Sequence, residues 1–463
     1  MQPGFSRLVR GAWPGIGLVF LIWLMSIAYG FQYLVMDDPD SHLIYFRIAT
    51  VPFALLVGLL TWDAVRDGPS MSELPGTSSA LGLVLMSISW GLTCYFYSAK
   101  LAPLSWIIVA VLVPCLAGAT SWRWGSRAAV WSFLAGAFLL IVFLASRLAH
   151  DQAGGDMLQI IDFAVRDLLQ GNSPFHRYLT VSGKEVLFGY WPGIWLPYIP
   201  VIALGLDMRV LNVLLIGLLI ALFWKASGGG ERGARILGCV LMPLLLSSPL
   251  MQMALSGHLW LYWLLSVLCL WLVIRRQYML AALVFGLCLA ARPTALFLAG
   301  PIAAYVWTRD GARAAISGGM VTGVVVLALN APFYLLYGDD FVRASYGALS
   351  GIGHQLTHFS VEGILQSIGL SGLGKPLQIV VALAAMAVIV VKRPLAPEKF
   401  VMLSGVTYVW EILFANYATR YMYFSGFLLV ALGLLIAEVR RSERPEQVDH
   451  RLDRVSESGA VRA

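Results

Sequence analysis

The sequence predicts an all-α, polytopic integral membrane protein of roughly 12–14 transmembrane helices with one amphipathic helix in an extracytoplasmic loop. Three observations predict it. Apolar residues make up 59% of the 463-residue chain and charged residues only 12%, against roughly 25% charge in a soluble domain. The mean hydropathy of +0.78 leaves too little polar surface to face water, so lipid must be the solvent over most of the chain. Finally, the apolar residues fall in recurrent runs near the ~20 residues that a bilayer crossing needs.

The runs come in three series. The first covers Trp13–Tyr33, Leu43–Leu60, Ala80–Ser98, Ala102–Ala119 and Val130–Leu148. The second covers Trp191–Leu206, Val210–Trp224, Ile236–Leu255, Leu259–Ile274, Met279–Ala290 and Thr294–Trp307. The last covers Ala315–Leu329, Leu377–Val391, Phe400–Phe414 and Tyr421–Glu438. Arg7 and Arg10 precede the first run, and no small-residue cleavage site follows, so it reads as a retained span. The 16 Trp and 18 Tyr suit many membrane–water crossings.

The net charge of +7 is a topology signal. With Arg7 and Arg10 inside, the connectors bearing Arg123/Arg127, Lys225/Arg232/Arg235, Arg275/Arg276, Arg309/Arg313 and Lys392/Arg393 also fall inside. The Arg-rich tail, 440–463, joins them and reads as disordered. One place conflicts. The two runs between Tyr190 and Lys225 must make one net crossing, so either Trp191–Leu206 is re-entrant or a basic connector is external. Two long stretches, 150–190 and 332–376, fall outside. No soluble basic domain exists to bind nucleic acid. The five cysteines sit inside apolar segments without CxxC spacing, which predicts neither a thiolate metal site nor a disulfide framework.

The first outer stretch carries the candidate chemistry. Met157, Ile160, Ile161, Ala164, Val165, Leu168 and Leu169 follow helical spacing, with Asp156 at the N-cap position and Gly171 at C′. Such a helix should lie in the outer interface, apolar face down, with Asp162, Arg166 and Asp167 toward water or neighbouring loops. The run from Asp156 through Gly171-Asn172-Ser173-Pro174-Phe175 resembles the first extracytoplasmic loop of the GT-C superfamily of polyprenyl-phosphate-sugar-dependent glycosyltransferases. In that family an Asp after a span is followed by an amphipathic helix and G-x-x-P-[YF]. Further on, Tyr190-Trp191-Pro192, Ser256-Gly257-His258, Ala290-Ala291-Arg292-Pro293 and Tyr417-Ala418-Thr419-Arg420-Tyr421 resemble later family positions in order. These matches span about two thirds of the chain, within region 126–439. Some five spans precede the loop here, whereas the family places it after the first, so residues 1–125 form an extension without an assigned role.

The resemblance implies Asp156 as catalytic base, and Arg420, Arg292 and His258 at the phosphate of a polyprenyl-phosphate sugar donor. Tyr190, Asp151, His354 and His358 are further substrate-binding candidates. It implies inversion at the sugar carbon, a lipid-linked or cell-envelope glycan acceptor, a bacterial inner-membrane location and an extracytoplasmic site. No metal or cofactor is expected. The chemistry suits the residue types: a base takes the acceptor hydroxyl proton, and cationic donors meet the charge growing on the departing phosphate. Competing features exist. Asp37, Asp38 and Asp40 follow the first run but lack the Gly-x-x-Pro turn and read as a solvated connector. His354, His358 and Glu362 stand at helical spacing that could hold a metal, or form a polar face of a loop helix. Residues 95–118 resemble a piece of the drug/metabolite transporter family, so a transporter or lipid flippase is the alternative function.

Overall fold

The computed structural model describes residues 39–65, 79–96, 103–147, 157–181, 183, 185–347, 360–370, 372–415 and 420–440. Among these, secondary structure is helical apart from one two-stranded antiparallel hairpin of three-residue strands, β1 Arg177–Leu179 and β2 Glu185–Leu187. The run Trp13–Tyr33, Asp37, Asp38 and the tail beyond Arg440 lie outside the described residues.

Four helices come first: α1 Pro39–Val65, α2 Ser79–Phe96, α3 Pro103–Trp124 and α4 Ser126–Arg147. They pack on the rest of the chain. Lys392 and Lys399 donate to the carbonyls of Val65 and Asp63, satisfying acceptors that the last turn of α1 leaves open. Trp410 Nε1 donates to Thr61 Oγ1 at 2.9 Å. At the start of α4, Glu231 accepts the Ser126 and Arg127 backbone N–H groups, a carboxylate at the positive end of a helix.

Next stands α5 Met157–Leu169, which the spacing predicted. Gly171 at φ +83° closes it: its N–H bonds Leu168 O and Asn172 N–H bonds Asp167 O, the paired bonds of a Schellman end. The apolar face is covered by protein and not left for lipid. Ile160, Ile161, Ala164 and Val165 are fully buried, and α5 packs on the short helix α7 Ile199–Ala203. Arg166 pairs with Asp162 on the outer side at 2.9 Å, as the amphipathic pattern requires.

The conflicted segment after Tyr190 is three short pieces: α6 Pro192–Trp195, a 3-10 turn Leu196–Tyr198, and α7. Pro192, Pro197 and Pro200 each open one of them, where a missing N–H costs nothing. At 1.5 Å per residue the rod is about 18 Å long, too short for a ~30 Å hydrocarbon core. The stretches flanking it meet one turn. The Tyr190 ring lies 4.5 Å from that of His258, and Asn212, in the helix Arg209–Ala226 that follows, donates to Gly257 O at 2.8 Å. The stretches on either side of the rod are thus both held against the 256–258 turn.

The remaining helices are α8 Arg209–Ala226, α9 Gly230–Leu245, α10 Ser248–Ser256, α11 Trp260–Ile274, α12 Tyr278–Ala291 and α13 Ala299–Val342. They are followed by α14 Val361–Ser367, α15 Gly374–Val391, α16 Pro397–Leu413 and α17 Tyr423–Arg440. The long α13 breaks at Gly311 (φ 86°) and Gly338 (φ 49°), and the first break separates the two runs flanking Arg309 and Arg313. The outer stretch expected from residue 332 begins later, because helix continues through Pro332 to the break at Gly338. Five of the described helices are long and apolar enough to cross a membrane, or six if the bent α9–α10 pair is one span. On α13, Ile316, Met320, Val324 and Leu327 form an exposed apolar stripe, each at least 63% accessible, which is costly in water and natural in lipid.

Candidate functional site

The site is built at a proline. Pro293 disfavours helix at the residue before it, so α12 stops at Ala291 and Arg292 takes an extended backbone (φ −153°, ψ 120°). The small pair Ala290-Ala291 then admits close packing. A Cβ on Gly193 would sit 2.6 Å from the Ala290 carbonyl carbon and the Ala291 nitrogen, so only glycine fits. This contact holds Tyr190-Trp191-Pro192 beside Arg292 and physically joins two of the sequence motifs.

A third motif joins through Asn212. That side chain is fully buried. It accepts from Tyr198 Oη at 2.8 Å and donates to Ala254 O at 3.2 Å and Gly257 O at 2.8 Å. The Ser256-Gly257-His258 turn is thereby clamped, and His258, 2% accessible, is set against Tyr190. Burial first, and the Arg292 charge second, pull the His258 imidazole down to about 3, so the ring is neutral near pH 7. Its Nδ1 has no hydrogen-bond partner among the described residues.

Around Arg292 stand four tyrosines close enough to interact with its charge: Tyr421, Tyr408, Tyr262 and Tyr190. The guanidinium carbon lies 5.7 Å from the Tyr421 ring centre, a cation–π arrangement. Tyr262 Oη donates to Tyr408 Oη at 2.9 Å, and Tyr408 Oη donates to Thr294 Oγ1 at 3.2 Å. Among the described residues no carboxylate pairs with Arg292. Hydroxyls and aromatic faces thus surround a half-buried cation for which the described residues offer no countercharge.

Of the residues singled out in the sequence, Tyr190, His258 and Arg292 are therefore brought together. Arg420 comes near by its backbone, in the 3-10 turn Arg420–Met422 next to Tyr421. Asp156, Asp151, His354 and His358 lie outside the described residues; Met157, the residue after Asp156, begins α5. Glu362 has a different occupation from metal binding. Its carboxylate accepts the Gly372 and Gly374 backbone N–H groups at 2.7 and 2.8 Å, capping α15. No metal-ligand cluster occurs among the described residues.

Tyr262, Thr294, Tyr408 and Asn212 were missed by sequence reasoning. The one available signal was that Tyr262 stands four residues after His258, on the same helical face. Also missed was Glu411, 2% accessible on α16, whose Oε1 has no partner among the described residues.

The stretch after α5 is fastened to the rest of the chain by aromatic packing. Phe175 of the Gly-x-x-Pro-Phe turn meets Phe188, Trp195, Phe333, Tyr337 and Phe341, with ring centres 5.1 to 6.5 Å away. Tyr178 Oη donates to Asp167 at 2.8 Å, and burial first, then that carboxylate, push the Tyr178 phenol well above its usual range. No protein-family model, curated protein or solved structure matches the chain.

Proposed function

We propose that the chain is a multi-pass membrane glycosyltransferase of GT-C type, with roughly 12–14 crossings once the shorter apolar helices are counted. It moves a sugar, a hexose such as mannose, from a polyprenyl-phosphate donor to a lipid-linked or cell-envelope acceptor. The work is done on the extracytoplasmic side of a bacterial inner membrane.

The observation that carries this reading is Arg292: a half-buried guanidinium without a carboxylate partner among the described residues, ringed by hydroxyls, at an end of α12. A cation kept from water needs an anion, and a phosphate suits a planar guanidinium fork. In this reading Arg292, with Arg420 beside Tyr421, stabilises the phosphate as the glycosidic C–O bond breaks. The acceptor oxygen attacks the anomeric carbon from the opposite face and inverts it. Its proton passes to Asp156, immediately before α5. Neutral His258 and the Tyr190 hydroxyl bind the sugar or phosphate by hydrogen bonds, and Asp151, His354 and His358 contribute from the outer loops. Ordered matches of four sequence motifs support the reading, and two of those motifs touch through Gly193.

The test is sugar transfer from radiolabelled mannosyl, glucosyl and arabinosyl polyprenyl phosphates in membranes, comparing wild type with Asp156→Asn. Loss of a general base lowers transfer by about 10²–10⁴-fold; equal transfer by the two proteins removes Asp156 from the role, and transfer by neither removes the enzyme class.

One observation favours a transporter or flippase instead. Glu411 is an ionisable side chain buried in an apolar helix, and such groups mark proton pathways in transporters. Proton-dependent lipid movement in proteoliposomes that Glu411→Gln abolishes, without sugar transfer, selects that reading.

A further inference from the structure

An apolar groove of about 610 Å3 lies between α4, α8, α9 and α10. Its lining is hydrocarbon and aromatic throughout, including Leu134, Phe138, Ile216, Ile220 and Leu241. One end is bounded by Trp131 and Trp224, whose ring centres stand 6.3 Å apart, with the Arg127 guanidinium 5.6 Å over Trp224. The opposite end is bounded by Val213, Ala254 and Trp260. These three lie one to three residues along the chain from Asn212, Gly257 and His258, the clamp that sets His258 near Arg292. Along α8 the lining runs from Val213 to Trp224, about 16 Å at 1.5 Å per residue, or half of a ~30 Å hydrocarbon core. One end of an elongated apolar groove thus lies a few residues along the chain from the clamp that sets His258 near Arg292, a cation without a carboxylate partner among the described residues, and that is the shape and charge order of a lipid: a long chain under an anionic head.

We infer that this groove holds the hydrocarbon chain of the same lipid whose phosphate faces Arg292, which makes α4, a helix ahead of the outer loop, part of the substrate site. The inference rests on the reading of Arg292 as an anion site, and it gives a helix preceding the outer loop a task. Gly217 is the point of control. It lines the groove, and a Cβ there would meet nothing within 4 Å, so a large side chain can enter without displacing backbone.

The experiment uses the full chain in phosphatidylcholine nanodiscs and two probes, a prenyl phosphate with a mid-chain diazirine and the matching neutral prenol. Labelled peptides are identified after irradiation. Prenyl phosphate labels the groove positions of α8 and α9. Gly217→Phe cuts that yield about tenfold by excluding chain methylenes, while Gly319→Phe, the same bulk at an exposed open position of α13, leaves it unchanged. Arg292→Gln lowers labelling by the phosphate to that of the prenol. Even labelling of the exposed faces of α13 and α15, or yields indifferent to Gly217→Phe, overturns the groove as a site. Equal labelling by phosphate and prenol overturns its link to Arg292. Groove labelling that behaves as stated without any sugar transfer strikes the glycosyltransferase reading alone.

Discussion

Basic side chains are handled differently at two places in this molecule. Near the start of α9 and around α16 they are consumed by structure. Arg232 bonds Glu438 O at 3.1 Å, Arg440 pairs with Glu398 at 3.1 Å, Arg309 donates to Leu395 O at 2.7 Å, and Lys399 caps α1. At the end of α12, Arg292 meets aromatic rings and hydroxyls and no carboxylate among the described residues. Charges of the first kind fix helix ends and connectors, where orphan carbonyls need donors. A charge of the second kind leaves room for an anion from outside, and on the proposed reading that contrast separates scaffold from site.

The largest effect should follow from removing the exception. Arg292→Gln lowers sugar transfer about 10²–10³-fold, the scale for losing a donor aimed at developing charge, while Arg440→Gln, which removes a surface pair, changes it less than twofold. Comparable losses in both variants would erase the distinction. Gly193→Ala comes next. Its methyl cannot fit against Ala290 and Ala291, so thermal unfolding in detergent should register a cost of about 1–3 kcal/mol, and transfer should fall because Tyr190 is displaced. Unchanged unfolding and transfer would show that this approach does not position the centre. Asn212→Ala strands the Tyr198 hydroxyl and the Ala254 and Gly257 carbonyls at about 1–3 kcal/mol; a stability equal to wild type would count against the clamp.

The smallest effect is a pH dependence. The His258 imidazole is held at about 3 against an ordinary 6.5. Below about 6.5 the unfolded chain takes up a proton that the folded site refuses, so stability is lost as pH falls from about 6.5 toward about 3. His258→Gln should flatten that part of the unfolding profile, measured against Gly319→Phe as a control with the same histidines. A profile with the same slope in both proteins would contradict the burial assigned to this ring.

What the sequence made legible follows periodicity. Met157–Leu169 and its Gly171 end were readable because every third or fourth residue repeats one instruction, and a left-handed C′ position asks for glycine. The short rod after Tyr190 was readable only as a conflict of topology, because three prolines break an apolar run into pieces too short to show a helical period. The hairpin Arg177–Leu179/Glu185–Leu187 escaped because three-residue strands are too short to show alternation. Tyr262 and Tyr408 escaped for another reason. Within apolar runs they read as helix filling, and their 2.9 Å contact joins positions 146 residues apart, which spacing along one helix cannot encode. His258 and Arg292 stood out as polar residues between apolar runs, but their convergence depended on Gly193 and Asn212, whose roles exist only after packing.

The central claim is that the centre around Arg292 receives a lipid phosphate, and binding tests it without requiring turnover. Titration of the detergent-solubilised full chain with a short prenyl phosphate and with the corresponding prenol, followed by intrinsic tryptophan fluorescence, compares the two heads on one tail. Saturable binding of the phosphate at least about tenfold tighter than the prenol, with the preference lost in Arg292→Gln, is the predicted result. Equal affinity for the two heads, or a preference that survives Arg292→Gln, would contradict it.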